Sequence, residues 1–245
     1  MLLRSVIFFN KDKLDYCFIH IPKTAGTSFQ NTIKKNSLDN KKYNSSFIHF
    51  MENYGCKHDH APFNFIKTYI KPLLKIEEKI NYLTIIRNPW DRLASLFEQE
   101  LLRDEVGLHR IKNKDIRNIL NSKYDNTTNE ILNSLDLFNK KNRKNLFKFW
   151  LYYLGTNRKV LPSLNPNFTI CSQSWWFVDY YTLEKIENIF KFENLSELEN
   201  KFGISLSHDN FKKNKFKYQD YYDQETIDYV YNLDKFVIDN FDYNF

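Results

Sequence analysis

Glycine is scarce in this 245-residue chain, at five residues, and so is alanine. No Gly/Ser-rich or Pro-rich linker and no internal repeat interrupts the sequence. One domain over residues 1–245 is therefore the expected organisation, and the length suffices for a well-buried core. Cysteine occurs three times (Cys17, Cys56, Cys171), widely spaced and with no CxxC pair. That excludes a disulfide framework and fits a reducing compartment. No run approaches the roughly eighteen apolar residues of a membrane span. In the N-terminal segment MLLRSVIFFNKDKLDY the apolar stretch is short, lacks a small-residue cleavage site and soon meets Lys11, Asp12 and Lys13. The expectation is a soluble, cytoplasmic protein.

What is present narrows the class further. Hydrophobic residues make up 42% and aromatics 17%, which excludes disorder of the whole chain. Phe, Tyr, Asn, Lys and Ile are all abundant, as an A/T-rich gene would dictate, so the aromatic excess alone does not signal stacking on sugars or bases. The net charge of +6 and pI of about 8.9 suit an anionic cofactor or substrate, but alone they suit nucleic acid equally well.

Strands alternate with helices. DYCFIHI (15–21) reads as a buried strand, the Pro22–Ser28 stretch as a loop, and the residues from about Thr27 to Lys35 as a helix. NYLTIIR (81–87) reads as a second strand running into Asn88-Pro89, a helix cap and first position. In that helix Trp90, Leu93, Ala94, Phe97 and Leu101 recur at helical spacing. NLFKFWLYYLG (145–155) reads as a buried helix ended by Gly155, and IENIFKFENL (186–195) as a strand passing into the short helix SELENKFG. The tail places Ile227, Val230, Tyr231, Val237, Ile238 and Phe241 on one broad helical face. This order predicts an α/β fold with a mainly parallel central sheet flanked by helices. The polar, Asn- and Lys-rich segment 104–145 reads as an excursion over the surface, within a helical lid or substrate region spanning 104–160.

In an open parallel sheet, ligands bind beyond the carboxyl ends of the strands, and two loops there carry chemistry. In PKTAGTS (22–28), Gly26 is expected to permit a tight turn while Thr27 and Ser28 open a helix whose free N–H groups favour an anion. Lys23 adds a point charge, and Thr24 adds a further donor. This is not a Walker A loop, since Lys23 precedes the glycine and no GK[ST] follows. In RNPWDRLASLF (87–97), the fork of Arg87 and the hydroxyl of Ser95 can grip a second phosphate. Arg92 is a further candidate there, although its neighbour Asp91 offers a local ion pair. Two anion-gripping loops point to a nucleotide with two separated charged groups.

FIHIPKTAGTS and IIRNPWDRLASLF resemble the two signature loops of the carbohydrate sulfotransferase family that includes heparan sulfate 2-O-sulfotransferase and bacterial relatives. CSQSWWF (171–177), IFKFENL (189–195), HDNFKKNKFKYQDYYD (208–223) and the terminal DNFDYNF resemble later landmarks of that family in order. The resemblance implies a P-loop-like three-layer fold. It also implies a sulfuryl donor, 3′-phosphoadenosine 5′-phosphosulfate (PAPS), bound across both loops. Lys23, Thr24, Ala25, Gly26, Thr27 and Ser28 would surround its 5′ side, and Arg87 and Ser95 would bind its 3′-phosphate. A carbohydrate acceptor follows, such as a polysaccharide or glycolipid.

Sulfuryl transfer needs an in-line acceptor, charge stabilisation at the leaving phosphate and removal of the acceptor's proton. Lys23 suits the leaving side. For the base, GCKHDHAPF offers His58 and His60, and an imidazole titrates near working pH. Members of the family resembled carry Lys-His or His-x-His between the loops. The second pattern favours His60, with His58 close behind. Cys56, His58 and His60 lack a fourth partner at zinc spacing, so no metal is expected. His20 reads as a packed strand-end residue, and His109 and His208 have no visible partner. KKNRKNLFK (140–148) reads as a solvated basic face, while Lys213 or Lys215 in FKKNKFK (211–217) is placed near the nucleotide by the resemblance. Trp175 and Trp176 suit either a sugar platform or the core.

Two other classes fit parts of the pattern. A nucleotide-dependent kinase would share the sheet, but a lysine after the glycine and an acidic magnesium ligand at a strand end are missing. A basic nucleic-acid-binding module would explain the charge but give no role to the paired loops.

Overall fold

A computed structural model describes residues 6–39, 43–45, 61–77, 79–102, 144–145, 147–148, 150–152, 171–206 and 217–245. A four-stranded sheet runs in the order β1 (Val6–Lys11), β2 (Leu14–Ile19), β3 (Ile80–Ile86) and β6 (Asn188–Lys191). The last three strands are parallel, with Ile19 opposite Thr84 and Ile86 opposite Lys191. β1 adds an antiparallel edge through a tight hairpin. Asp12 and Lys13 form its turn, both with positive φ (54° and 63°), the backbone such a two-residue hairpin demands. Most of the short apolar stretch at the N-terminus is thus an edge strand.

The side chains alternate across the strands, and the sheet is covered on both faces. On one face Phe9, Phe18, Leu83 and Ile85 meet Phe29 and Ile33 of α1 (Gly26–Lys35) and Leu198 and Phe202 of α6 (Leu195–Phe202). On the other, Phe8, Cys17, Ile19 and Ile86 meet Trp90, Leu93 and Phe97 of α4 (Pro89–Leu102) and Val230 and Val237 of α7 (Gln224–Asn240). The same core takes in a helical run made of α2 (Phe63–Phe65), a wide π-type stretch Ile66–Ile70 and α3 (Lys71–Leu73). A short helix α5 (Ser174–Phe177) leads into the two-stranded pair β4 (Val178–Asp179) and β5 (Glu184–Lys185).

The expected strands and helices fall within a few residues of their observed bounds. α4 begins at Pro89, and the Asn88 side chain accepts from the N–H groups of Trp90 and Asp91 at 3.1 and 3.2 Å, as a cap should. After β6 a 3₁₀ turn, Phe192–Asn194, enters α6, which Gly203 ends with a left-handed φ of 59°. Phe147 and Leu151 are fully buried, as a core helix around them requires, whereas Gly155 lies outside the described residues. One expectation fails. Tyr231 is 36% exposed rather than part of the buried stripe, because α7 is interrupted at Asp234 (φ −121°, ψ 25°) and the apolar face shifts there. The proposed lid, 104–160, lies outside the described residues except for 144–145, 147–148 and 150–152, which are helical.

Trp176 is buried, and Trp175 packs edge-on against it at 5.1 Å, so both belong to the core. Lys148 pairs with Asp223 at 3.1 Å and Glu225 at 2.5 Å, facing acidic residues of this chain. No helix among the described residues is long and apolar enough to cross a membrane.

Candidate active site

Because β2 and β3 are parallel neighbours, the loops that follow them leave the same edge of the sheet side by side. They also touch. Arg87 Nη1 donates to the carbonyl of Lys23 at 3.1 Å.

The first loop is shaped by residues other than its glycine. Lys23 and Ala25 take the left-handed conformation, with φ of 72° and 67°, a strained choice for residues with a Cβ. Gly26, expected to permit the turn, has no positive φ. Its requirement is close approach: the ring of His20 lies where a Cβ on residue 26 would fall. His20, packed near Phe18 with ring centroids 6.0 Å apart, is the strand-end residue anticipated. Thr24 is fully buried, and its hydroxyl donates to the Ile21 carbonyl at 2.8 Å, closing the loop on itself.

α1 opens with Ala25 at its cap, no capping side chain and no acidic residue in its first turn. The first intrahelical bond runs from Phe29 N–H to the Ala25 carbonyl at 3.1 Å. The N–H groups of Gly26, Thr27 and Ser28 therefore meet no acceptor among the described residues. Thr27 is half-buried and Ser28 buried, and their hydroxyls make no hydrogen bond among those residues. An uncapped helix start carrying positive partial charge is a place for an anion.

The second loop holds a guanidinium in a fixed frame. Arg87 Nε and Nη2 reach the same oxygen of Asp91 at 2.8 and 2.7 Å. Its Cζ lies 4.3 Å from the Phe192 ring centroid, a cation–π contact. With Nη1 on Lys23, one N–H on each terminal nitrogen stays open among the described residues. Ser95 is half-buried, and its hydroxyl makes no hydrogen bond there. Arg92 does not join this group. It is fully buried and donates to the Cys171 carbonyl at 2.7 Å, and Asp91 pairs with Arg87 instead.

The C-terminal tail borders the second loop. Asn88 donates to the Asn244 carbonyl at 2.8 Å, while Glu193 accepts from Asn88 N–H at 2.7 Å and from the Tyr243 hydroxyl at 2.9 Å. Burial, and then Glu193, push the Tyr243 pKa well above its ordinary value, so it stays a neutral donor. Burial, with Asp91 and Glu193 nearby, likewise raises that of Tyr218.

Sequence reasoning missed the support behind Arg87. Gln173, fully buried, accepts from Arg87 N–H at 2.9 Å and donates to the Arg87 carbonyl at 2.8 Å and to Asp234 at 3.0 Å. CSQSWWF, which holds Gln173, is one of the landmarks of the resemblance, but nothing in it announces a partner 86 residues away. The structure thus brings together Lys23, Thr24, Ala25, Gly26, Thr27, Ser28 and Arg87, while Ser95 lies four residues, about one turn, beyond Asp91 on α4. His58, His60, Cys56, Lys213 and Lys215 lie outside the described residues.

A family model described as "Sulfotransferase family" matches residues 4–225. No curated protein and no solved structure matches the chain.

Proposed function

Because the chain belongs to the sulfotransferase family, we propose that it moves a sulfuryl group from PAPS to a hydroxyl of a carbohydrate acceptor, on a P-loop-like three-layer scaffold. The observation that carries this reading is the 3.1 Å contact between Arg87 and the Lys23 carbonyl. It puts the two loops in contact, which supports reading them as one site that a single nucleotide spans. The uncapped start of α1 suits the 5′-phosphosulfate, and the open N–H groups of Arg87 with Ser95 suit the 3′-phosphate.

The acceptor oxygen forms a bond to sulfur as the bond from sulfur to the 5′-phosphate oxygen breaks, releasing adenosine 3′,5′-bisphosphate. Lys23 and the N–H groups of Gly26, Thr27 and Ser28 offset charge growing on that phosphate. His60, or His58, takes the acceptor's proton. The transfer as written calls for no metal, and segment 104–160 supplies the surface that selects the acceptor.

The test has two parts. Calorimetry should show binding of adenosine 3′,5′-bisphosphate in preference to ATP–Mg²⁺. Labelled PAPS offered with polysaccharides, glycolipids and small glycosides should then label one class. Preference for ATP–Mg²⁺ would make the protein a kinase. Label on protein or small metabolites alone would remove the carbohydrate.

A further inference from the structure

An arginine grips a phosphate well only if its own backbone is held, and Arg87 sits where the sheet stops holding it. The ladder between β3 and β6 ends at the pair Ile86–Lys191, so Arg87 is the first residue beyond it. We propose that Gln173, oriented by Asp234, is a positioning residue that fixes Arg87 for the 3′-phosphate. The inference rests on the donor reading above.

One side chain serves both polar groups of the Arg87 backbone. Gln173 Oε1 accepts from its N–H at 2.9 Å, and Gln173 Nε2 donates to its carbonyl at 2.8 Å. The amide thereby extends the hydrogen-bonding pattern of the sheet by one residue, using a side chain in place of a strand. It is 0% exposed, so water does not compete for these bonds.

The amide could face either way were it not for Asp234. That carboxylate, 1% exposed, accepts from the Ser172 hydroxyl at 2.7 Å, from Gln173 N–H at 2.9 Å and from Gln173 Nε2 at 3.0 Å. A carboxylate in this position only accepts, so the NH₂ end of Gln173 must face it and the oxygen must face Arg87 N–H. Asp234 sits at the interruption in α7 (φ −121°, ψ 25°), where the helix departs from regular geometry. The guanidinium end of Arg87 is held separately by Asp91, the Lys23 carbonyl and Phe192, so Gln173 acts on the backbone alone.

The experiment compares adenosine 3′,5′-bisphosphate with adenosine 5′-monophosphate, which lacks the 3′-phosphate, by calorimetry on the full chain. Gln173→Met is expected to weaken the bisphosphate about tenfold, as the loss of one or two buried hydrogen bonds implies, and to leave the monophosphate within about twofold. Arg87→Ala/Gln173→Met should bind the bisphosphate no more weakly than Arg87→Ala, since both changes act through one group. Asp234→Asn, which keeps the shape but removes the carboxylate's direction, should show the same selective loss to a smaller degree, and it carries the test if Gln173→Met does not fold. Equal weakening of both nucleotides, or additive losses in the double variant, would overturn the inference while leaving the donor reading in place. A wild-type protein that binds the two nucleotides alike would overturn the donor reading and this inference together.

Discussion

The Nη1 of Arg87 donates to the carbonyl of Lys23 at 3.1 Å, and this bond joins the turn after β2 to the turn after β3. Its consequence is geometric. A ligand held at the start of α1 has the guanidinium of the second loop as an immediate neighbour. The same bond ties a strained residue, Lys23 at φ 72°, to the residue that follows β3.

Removing either side of that bond should have different effects. Under the proposed function, Arg87→Ala is expected to weaken adenosine 3′,5′-bisphosphate at least tenfold, because it would remove charge-assisted bonds to the 3′-phosphate, each worth about 1.5–3 kcal/mol. Arg87→Lys should recover little of this, since a point charge keeps neither the fork nor the stack on Phe192. Lys23→Ala should lower transfer more than it lowers binding. Unchanged affinity in a folded Arg87→Ala protein, read by calorimetry, would remove Arg87 from the site.

Gly26→Ala should destabilise the fold by about 1–3 kcal/mol, the usual cost of overpacking. The added methyl falls on the ring of His20, not into open space. Replacing that ring with a methyl, as His20→Ala, should restore much of the loss in the double variant. Urea melts of the two single variants and the pair read this directly. A Gly26→Ala protein as stable as wild type would show that the ring swings away at no cost.

These loops also show how far the sequence was legible. The strands before them and the helices after them follow from apolar runs, a cap at Asn88 and Pro89, all local signals. Which residues bear the turn was less visible: a glycine invites the assignment of positive φ, yet Lys23 and Ala25 adopt it and Gly26 makes room for His20. The β1 hairpin lacked the Asn-Gly signature of its turn, since Asp12 and Lys13 take those angles. Gln173 and Asp234 were out of reach for a different reason. Their value to Arg87 exists only once β3, α5 and α7 are packed together, and no spacing along the chain encodes that meeting.

The N-terminus of α7 should be pH-sensitive. Burial alone would raise the Asp223 pKa, but hydrogen bonds from the Thr226 amide and hydroxyl, with Lys148, hold it below the ordinary carboxylate value. A folded-state pKa below the unfolded one contributes stability at higher pH, lost as pH falls through the folded value. The advantage of wild type over Asp223→Asn in thermal melts should thus be steady from about pH 7 to about pH 5 and shrink below about pH 4. An advantage that persists undiminished well below about pH 3 would contradict the assignment.

The base offers the sharpest kinetic test. A histidine that takes the acceptor's proton must be neutral to act, so kcat should fall on the acidic side of an imidazole pKa near about 6.5. Replacing that histidine should cost about 10²–10⁴-fold in kcat and flatten the acidic limb. Affinity for adenosine 3′,5′-bisphosphate should stay within about twofold, because a base that meets only the acceptor contributes nothing to holding the nucleotide. His60→Ala is expected to behave this way, and His58→Ala to keep most of the rate. The reverse pattern would transfer the role to His58. Full activity with an unchanged pH profile in both variants would mean that neither imidazole carries the proton, and that the acceptor is deprotonated by another group.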